Sequence, residues 1–172
     1  VNTTTGAQVW KSPSLAPTNM LQGGAAVWLQ AAKALTACGA TPDLVFVGTR
    51  DTGTTTANKI YALNGGNTNV TSSGGGNCAA AGTVVPGAIL WTYTGGGANP
   101  NLDIISSMPY LDYFTDVLWL TSRAAGGTGQ PSLWKLNLAT GALASGTATS
   151  NHTEIDSSPS TSYDGSFLYA GT

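Results

Sequence analysis

The side chains able to do chemistry are few, and their spacing sets limits on it. The one histidine, His152, stands in TSNHTE with only Glu154 and Asp156 nearby. A general base needs a nucleophile or carboxylate within hydrogen-bond reach, and these surroundings fit a solvent-exposed loop histidine better. Asp103, Asp112, Asp116, Asp156 and Asp164 are scattered at turn-like positions, where Asp bends and caps the backbone. Asp112 and Asp116 flank Tyr113-Phe114 and are placed to line a groove, but turn roles suit them better. No spacing matches a calcium loop. Glycine clusters at 74–76, 95–97 and 126–129 lack the following helix and Lys of a phosphate cradle, so they read as loops. No residue is assigned a catalytic or metal-binding role.

Cys38 and Cys78, the only cysteines, lie in TACGATP and GGGNCAAAG. Without CxxC, CxxCH or a Cys/His cluster, zinc and covalent haem have no visible ligand set. Redox chemistry is one reading; a structural disulfide formed in an oxidising compartment is the favoured one. Such a bond ties a long loop to the start of the segment that contains residues 44–64. Sequons occur at Asn2, Asn69 and Asn151, but in a Thr-rich chain they do not establish glycosylation.

The elements that must position these residues follow from composition and repetition. Length, 172 residues, suggests a single domain. Only 8% of residues are charged and the net charge is −2, which gives no basic footprint for nucleic acid and no cationic face for anionic lipid. No apolar run approaches the roughly 18–20 residues of a spanning helix. Solubility rests on Thr, Ser, Asn and Gly. The opening VNTTTGAQVW has no charged-then-apolar leader, so a trimmed, mature or incomplete chain is expected.

Residues 44–64 read as two strands joined by a polar turn. Moved forward by 73 positions, residues 45–64 fall without a gap on 118–137: VFVGTR on LWLTSR, KIYALN on SLWKLN. A second offset, 50, carries Ile105-Ser106-Ser107-Met108-Pro109 onto Ile155-Asp156-Ser157-Ser158-Pro159, Tyr113 onto Tyr163 and Leu118 onto Leu168. The offsets differ mainly through residues 65–86, a low-complexity insert expected to be a surface excursion. Residues 25–37 are the only candidate helix by propensity; the preferred division makes 25–29 an inner strand and 30–37 one or two helical turns. A period near 50 with apolar positions alternating in twos predicts repeated units of four short antiparallel strands, an arrangement found in β-propeller blades.

A turn-like motif, Asn2-x-x-Thr5-Gly6-x-x-x-Trp10, recurs as Asn137-x-x-Thr140-Gly141 and, split by the insert, as Asn64 with Gly87 and Trp91. With KIYALN and SSP…DG…LYAGT, it resembles the tryptophan-docking repeat of quinoprotein-type (PQQ-like) β-propellers. The resemblance implies an all-β chain of propeller blades in a partial ring: residues 1–10 as a blade tail, 25–94 as a blade carrying the insert 65–86, 104–146 as a second blade, and 155–172 as the start of another. It also implies that Trp10 and Trp91 dock adjacent blades. Ser145 departs from the pattern where Trp is expected. The family's PQQ and calcium site has no counterpart, since no adjacent Cys pair or matching acidic set is present; those cofactors would have to come from residues outside this chain.

The expected function is a non-catalytic extracellular, cell-surface or periplasmic propeller segment. It would act as scaffold or protein-interaction surface, with the remaining blades of a longer chain or other copies as partners. A fragment of a PQQ-dependent oxidoreductase is one alternative, and a carbohydrate-binding or glycan-processing propeller another. Trp28, Trp91, Trp119, Trp134, Tyr61 and Tyr169 are read first as packing aromatics, second as a stacking surface for glycan.

Overall fold

The fold was obtained as a computed structural model, which describes residues 4–15, 21, 23–52, 58–95, 102–123, 131–144 and 155–171. It is all-β: among the described residues there are eleven short strands and no helix. The sheets are small, antiparallel and arranged in series.

The first sheet has the order β1 (Ala26–Trp28), β2 (Leu44–Gly48), β3 (Ile60–Asn64) and β6 (Ile89–Tyr93). Between β3 and β6 the chain forms a hairpin, β4 (Val70–Ser72) with β5 (Gly82–Val84). The second sheet is β7 (Tyr110–Asp112), β8 (Val117–Thr121) and β9 (Leu133–Asn137); a third pair is β10 (Ser160–Thr161) with β11 (Leu168–Tyr169).

Pairing follows the sequence offsets residue by residue. Leu44 faces Asn64 and Gly48 faces Ile60; 73 positions later Val117 faces Asn137 and Thr121 faces Leu133. Tyr110 faces Trp119 and Leu111 faces Leu118; 50 positions later Ser160 faces Tyr169 and Thr161 faces Leu168. In the second sheet register is held by alternation: Trp134 and Leu136 of β9 are buried while Leu133, Lys135 and Asn137 are not, and a slip by one residue would exchange those faces.

The main core lies between the first and second sheets. Phe46, Ile60, Trp91 and Tyr93 from one side meet Leu118, Leu120, Trp134 and Leu136 from the other, with Trp28, Leu102 and Ile105. Trp91 packs tilted against Phe46, and Tyr93 meets Trp134 edge-on. A smaller cluster, Val47, Tyr61 and Leu63, occupies the opposite face of the first sheet against Leu15. Leu15 packs on that face, and the Tyr61 hydroxyl donates to the Leu15 carbonyl.

Several expectations need correction. Residues 26–28 form the anticipated inner strand, but 30–37 is not helical: Ala32 and Lys33 close one turn onto Leu29 O, and the Gln30 side chain shapes the rest. Its amide donates to Leu35 O and Pro42 O and its carbonyl accepts from Leu35 N, so side-chain bonds replace a helical ladder. Within the expected blade tail, residues 7–10 belong to no strand. In the second sheet the fourth strand expected of each unit is, among the described residues, only a bridge between Leu136 and Leu143, and Ser145 lies outside the described residues. The insert is an ordered hairpin, stitched at its neck by Asn64, whose amide donates to Thr68 O and Val84 O.

Candidate functional site at the joint between sheets

The Asn-Thr-Gly turn of the second sheet is made by its own side chains. Asn137 Oδ1 accepts from Ala139 N, Thr140 N and Thr140 Oγ1, and Gly141 N returns to Asn137 O. Gly141 has φ +65°, a left-handed conformation that disfavours any side chain. Its bare Cα lets Trp91 in: a Cβ there would fall 2.5 Å from Trp91 Cε3 and 2.7 Å from Cδ2. The buried indole donates from Nε1 to Leu138 O at 2.9 Å. Ring face and N–H are therefore both used on one turn, which satisfies the polar end of a buried Trp.

The same relation recurs one unit earlier. Gly87 N donates to Asn64 O and Asn64 N to Ala88 O, as Gly141 N does to Asn137 O and Asn137 N to Ala142 O. Gly87 (φ +79°) is contacted by half-buried Trp10, whose Cε3 would lie 2.6 Å from an added Cβ. Trp10 and Trp91, the two docking residues expected from the motif, thus occupy equivalent positions against successive glycine turns.

Cys38 and Cys78 are disulfide-bonded, as expected, with a sequence separation of 40. Closing a loop of that size is worth about 4 kcal/mol in the chain-entropy account. The bond also flanks the joint: Cys38 N donates to Ala139 O at 2.9 Å, and Asn77 Nδ2 donates to Gly141 O at 2.8 Å. Beside it opens a cavity of about 540 Å³, lined by polar and small residues of both sheets, Thr36, Asn77, Thr140 and Ala142 among them.

At the other end of the same interface Tyr113 stacks on Trp28 with centroids 4.0 Å apart. Its hydroxyl donates to Val27 O and accepts from Leu29 N, so it occupies the free edge of β1 where another strand would pair. Lys33 Nζ reaches Tyr113 O and pairs with Asp116 at 2.5 Å. Between the second and third sheets, Arg123 holds Asp156 through Nε and Nη2. That guanidinium lowers the Asp156 pKa, with help from the Ser106 hydroxyl and the Arg50 charge against opposing burial.

The carboxylates named above are turn formers or ion-pair partners. Asp112 accepts from Phe114 N, Thr115 N and the Thr115 hydroxyl; burial raises its pKa, but these bonds and Lys135 outweigh that and the net shift is downward. Asp164, bonded by the Ser162 hydroxyl and Ser166 N, is lowered to about 2. Asp103 accepts from Ile104 N at a left-handed position. His152, Glu154 and the sequons at Asn2 and Asn151 lie outside the described residues; Asn69 is exposed just before β4. Among the described residues no group of three or more His, Cys, Asp or Glu side chains is arranged to hold a metal, and no helix is long and apolar enough to cross a membrane.

The aromatics divide by position. Trp28, Trp91 and Trp134 are fully buried, while Trp119 is half-buried beneath Lys135, 5.3 Å from its ring. In the third pair Phe167 and Tyr169 are 65% and 58% exposed, beside a groove of about 500 Å³ that includes Ser158, Leu168 and Tyr169. The residues sequence reasoning missed are Gln30, Lys33, Asn77 and Asn58, the last exchanging bonds with the Asp51 backbone inside the β2–β3 turn. Lys33 and Asn77 act across 80 and 64 positions, which local motifs do not encode; Gln30 and Asn58 act within their own loops. No protein-family model matches the chain, and no curated protein matches it.

Proposed function

We propose that this chain is a non-catalytic segment of a quinoprotein-like β-propeller. Its four-stranded sheet and its three-stranded neighbour are successive blades, and the segment serves outside the cytoplasm as a scaffold and protein-interaction surface. The observation that carries the reading is the repeated joint: Trp10 on Gly87 and Trp91 on Gly141, with equivalent hydrogen bonds at both turns. A unit that presents a Trp forward and a glycine turn backward propagates by stacking, because each face needs a neighbour to bury it. The disulfide supports placement in an oxidising compartment. The exposed Phe167 and Tyr169 support the binding of a further sheet, from additional blades or from another copy.

Light scattering on the purified chain tests this. A mass above the 17.3 kDa of one copy, falling to one copy when Phe167 and Tyr169 are replaced by Ser, supports it. A stable single copy at high concentration contradicts it. Incubation with pyrroloquinoline quinone and calcium, followed by dye reduction, tests the non-catalytic part: quinone-dependent turnover overturns it in favour of an oxidoreductase.

A further inference from the structure

We infer that the Cys38–Cys78 disulfide is a thiol-reducible latch on the joint between the first and second sheets. Both cysteines belong to loops of the first sheet, yet the groups they position act on the second. Cys38 N, Asn77 Nδ2 and Trp91 Nε1 donate to the carbonyls of Ala139, Gly141 and Leu138. Three donors therefore take hold of one turn, two of them from the cystine or its immediate neighbour.

The disulfide keeps those donors in place. Cys78 forms a β-bridge with Trp91, so the bond links the docking indole to the loop that carries Cys38. Between the two lies a glycine arc closed by Cys78 N on Gly75 O and by the Ser72 hydroxyl with Gly74 N and Ala79 O, and tied to β6 through Thr92 N on Asn77 O and Ala79 N on Leu90 O. Gly74, Gly75 and Gly76 all have left-handed φ, at 73°, 89° and 56°, and glycine has the most freedom to leave such a conformation. Besides the sulfur bridge, Ser73 N donates to Cys38 O and fastens this arc to the Cys38 loop. The joint between Trp10 and Gly87 has no disulfide, since the chain holds no other cysteine, and it serves as an internal control.

The latch is open to attack. Cys38 is buried, Cys78 is half-buried, and both line the cavity of about 540 Å³ beside the turn. A dithiol reductant supplies what the reaction needs. Its thiolate attacks Cys78 Sγ, the Cys38–Cys78 S–S bond breaks, and Cys38 leaves as a thiolate that takes up a proton. The second thiol of the reductant then displaces Cys78 as a thiol and closes the reductant into its own disulfide. Two electrons and two protons pass to the protein, and the grip on residues 137–142 is left to Trp91.

The test is hydrogen–deuterium exchange on the whole chain before and after dithiothreitol without denaturant, with thiol labelling to follow reduction. Reduction of the native chain should speed exchange in 73–79 and 137–142 by about tenfold or more, the change expected of a locally opened unit. The β2–β3 and β8–β9 amides and the Gly87 turn should keep their protection. Unchanged exchange at 137–142, exchange that rises everywhere, or labelling that requires denaturant would each overturn the inference. Asn77→Ala, with the disulfide intact, should by itself speed exchange at 137–142; no change there counts equally against it. These outcomes are independent of whether the assembled protein is a propeller.

Discussion

Replacing Gly141 by alanine separates the docking contact from ordinary backbone strain. Gly6, Gly87 and Gly141 occupy the same place in the motif and share left-handed φ values of 69°, 79° and 65°. An L-residue in that region costs about 1–2 kcal/mol. An added Cβ at Gly6 meets nothing within 4 Å, so Gly6→Ala should cost about that much and no more. At Gly141 the same methyl falls 2.5, 2.7 and 3.0 Å from three atoms of the Trp91 ring. That ring is fully buried and its N–H is engaged with Leu138 O, so it cannot move aside without losing both. Overpacking of this kind adds about 1–3 kcal/mol, which places Gly141→Ala at about 2–5 kcal/mol. Gly87→Ala should fall between, because Trp10 is half-buried and free to yield, while Lys11 O at 2.9 Å is backbone. Urea unfolding followed by circular dichroism gives the three values from midpoint and slope. In a Trp91→Ala background the cost of Gly141→Ala should shrink to the Gly6 level, a coupling within the range seen for contacting pairs. Equal costs at Gly6 and Gly141, or no coupling to Trp91, would refute the steric reasoning.

Four further outcomes follow from the interface. Asp156 is held below its ordinary pKa of 3.8 by Arg123, so its contribution to stability is present above that value and is lost as pH falls through the lower folded value; Asp156→Asn should flatten the acid limb of a stability-versus-pH curve below about pH 4. Lys33 and Asp116 have side chains 36% and 39% exposed, so Asp116→Ala should cost about 1 kcal/mol or less. Trp28→Ala, which removes a buried ring stacked on Tyr113, should cost about 3–5 kcal/mol, and thermal unfolding ranks the two. Tyr113→Phe keeps the stack but frees Val27 O and Leu29 N on the β1 edge. It should cost about 0.5–1.5 kcal/mol and increase strand-edge association in light scattering.

Much of the fold was legible because the repeat preserves register. Offsets of 73 and 50 in the sequence reappear as offsets in strand pairing, since alternating apolar residues and an Asn-centred turn encode both the strands and their ends. The joint was legible in part. The motif marks Trp10 and Trp91, but their partners Gly87 and Gly141 lie a full unit away, where packing and not local spacing decides the contact. Equivalence in sequence also fails where neighbours differ. Tyr113 stacks on Trp28, whereas Tyr163, its counterpart, is 102% exposed. By its place beside β8 the position corresponding to Trp28 in the second sheet is Asp112, which offers no ring. The 30–37 segment misled because Ala and Leu propensities are weak against the bonds of a single Gln30 amide.

The most direct measurement of the central claim, that successive sheets are joined by a Trp seated on the next glycine turn, is the proton spectrum of Gly141. With Trp91 Cε3, Cδ2 and Cζ3 all close to the position of its missing Cβ, one Hα lies over the indole. It should resonate well upfield of the Gly6 Hα protons and return toward them in Trp91→Ala. A Gly141 Hα at an ordinary shift, unmoved by loss of Trp91, would mean that the two sheets do not meet in this way.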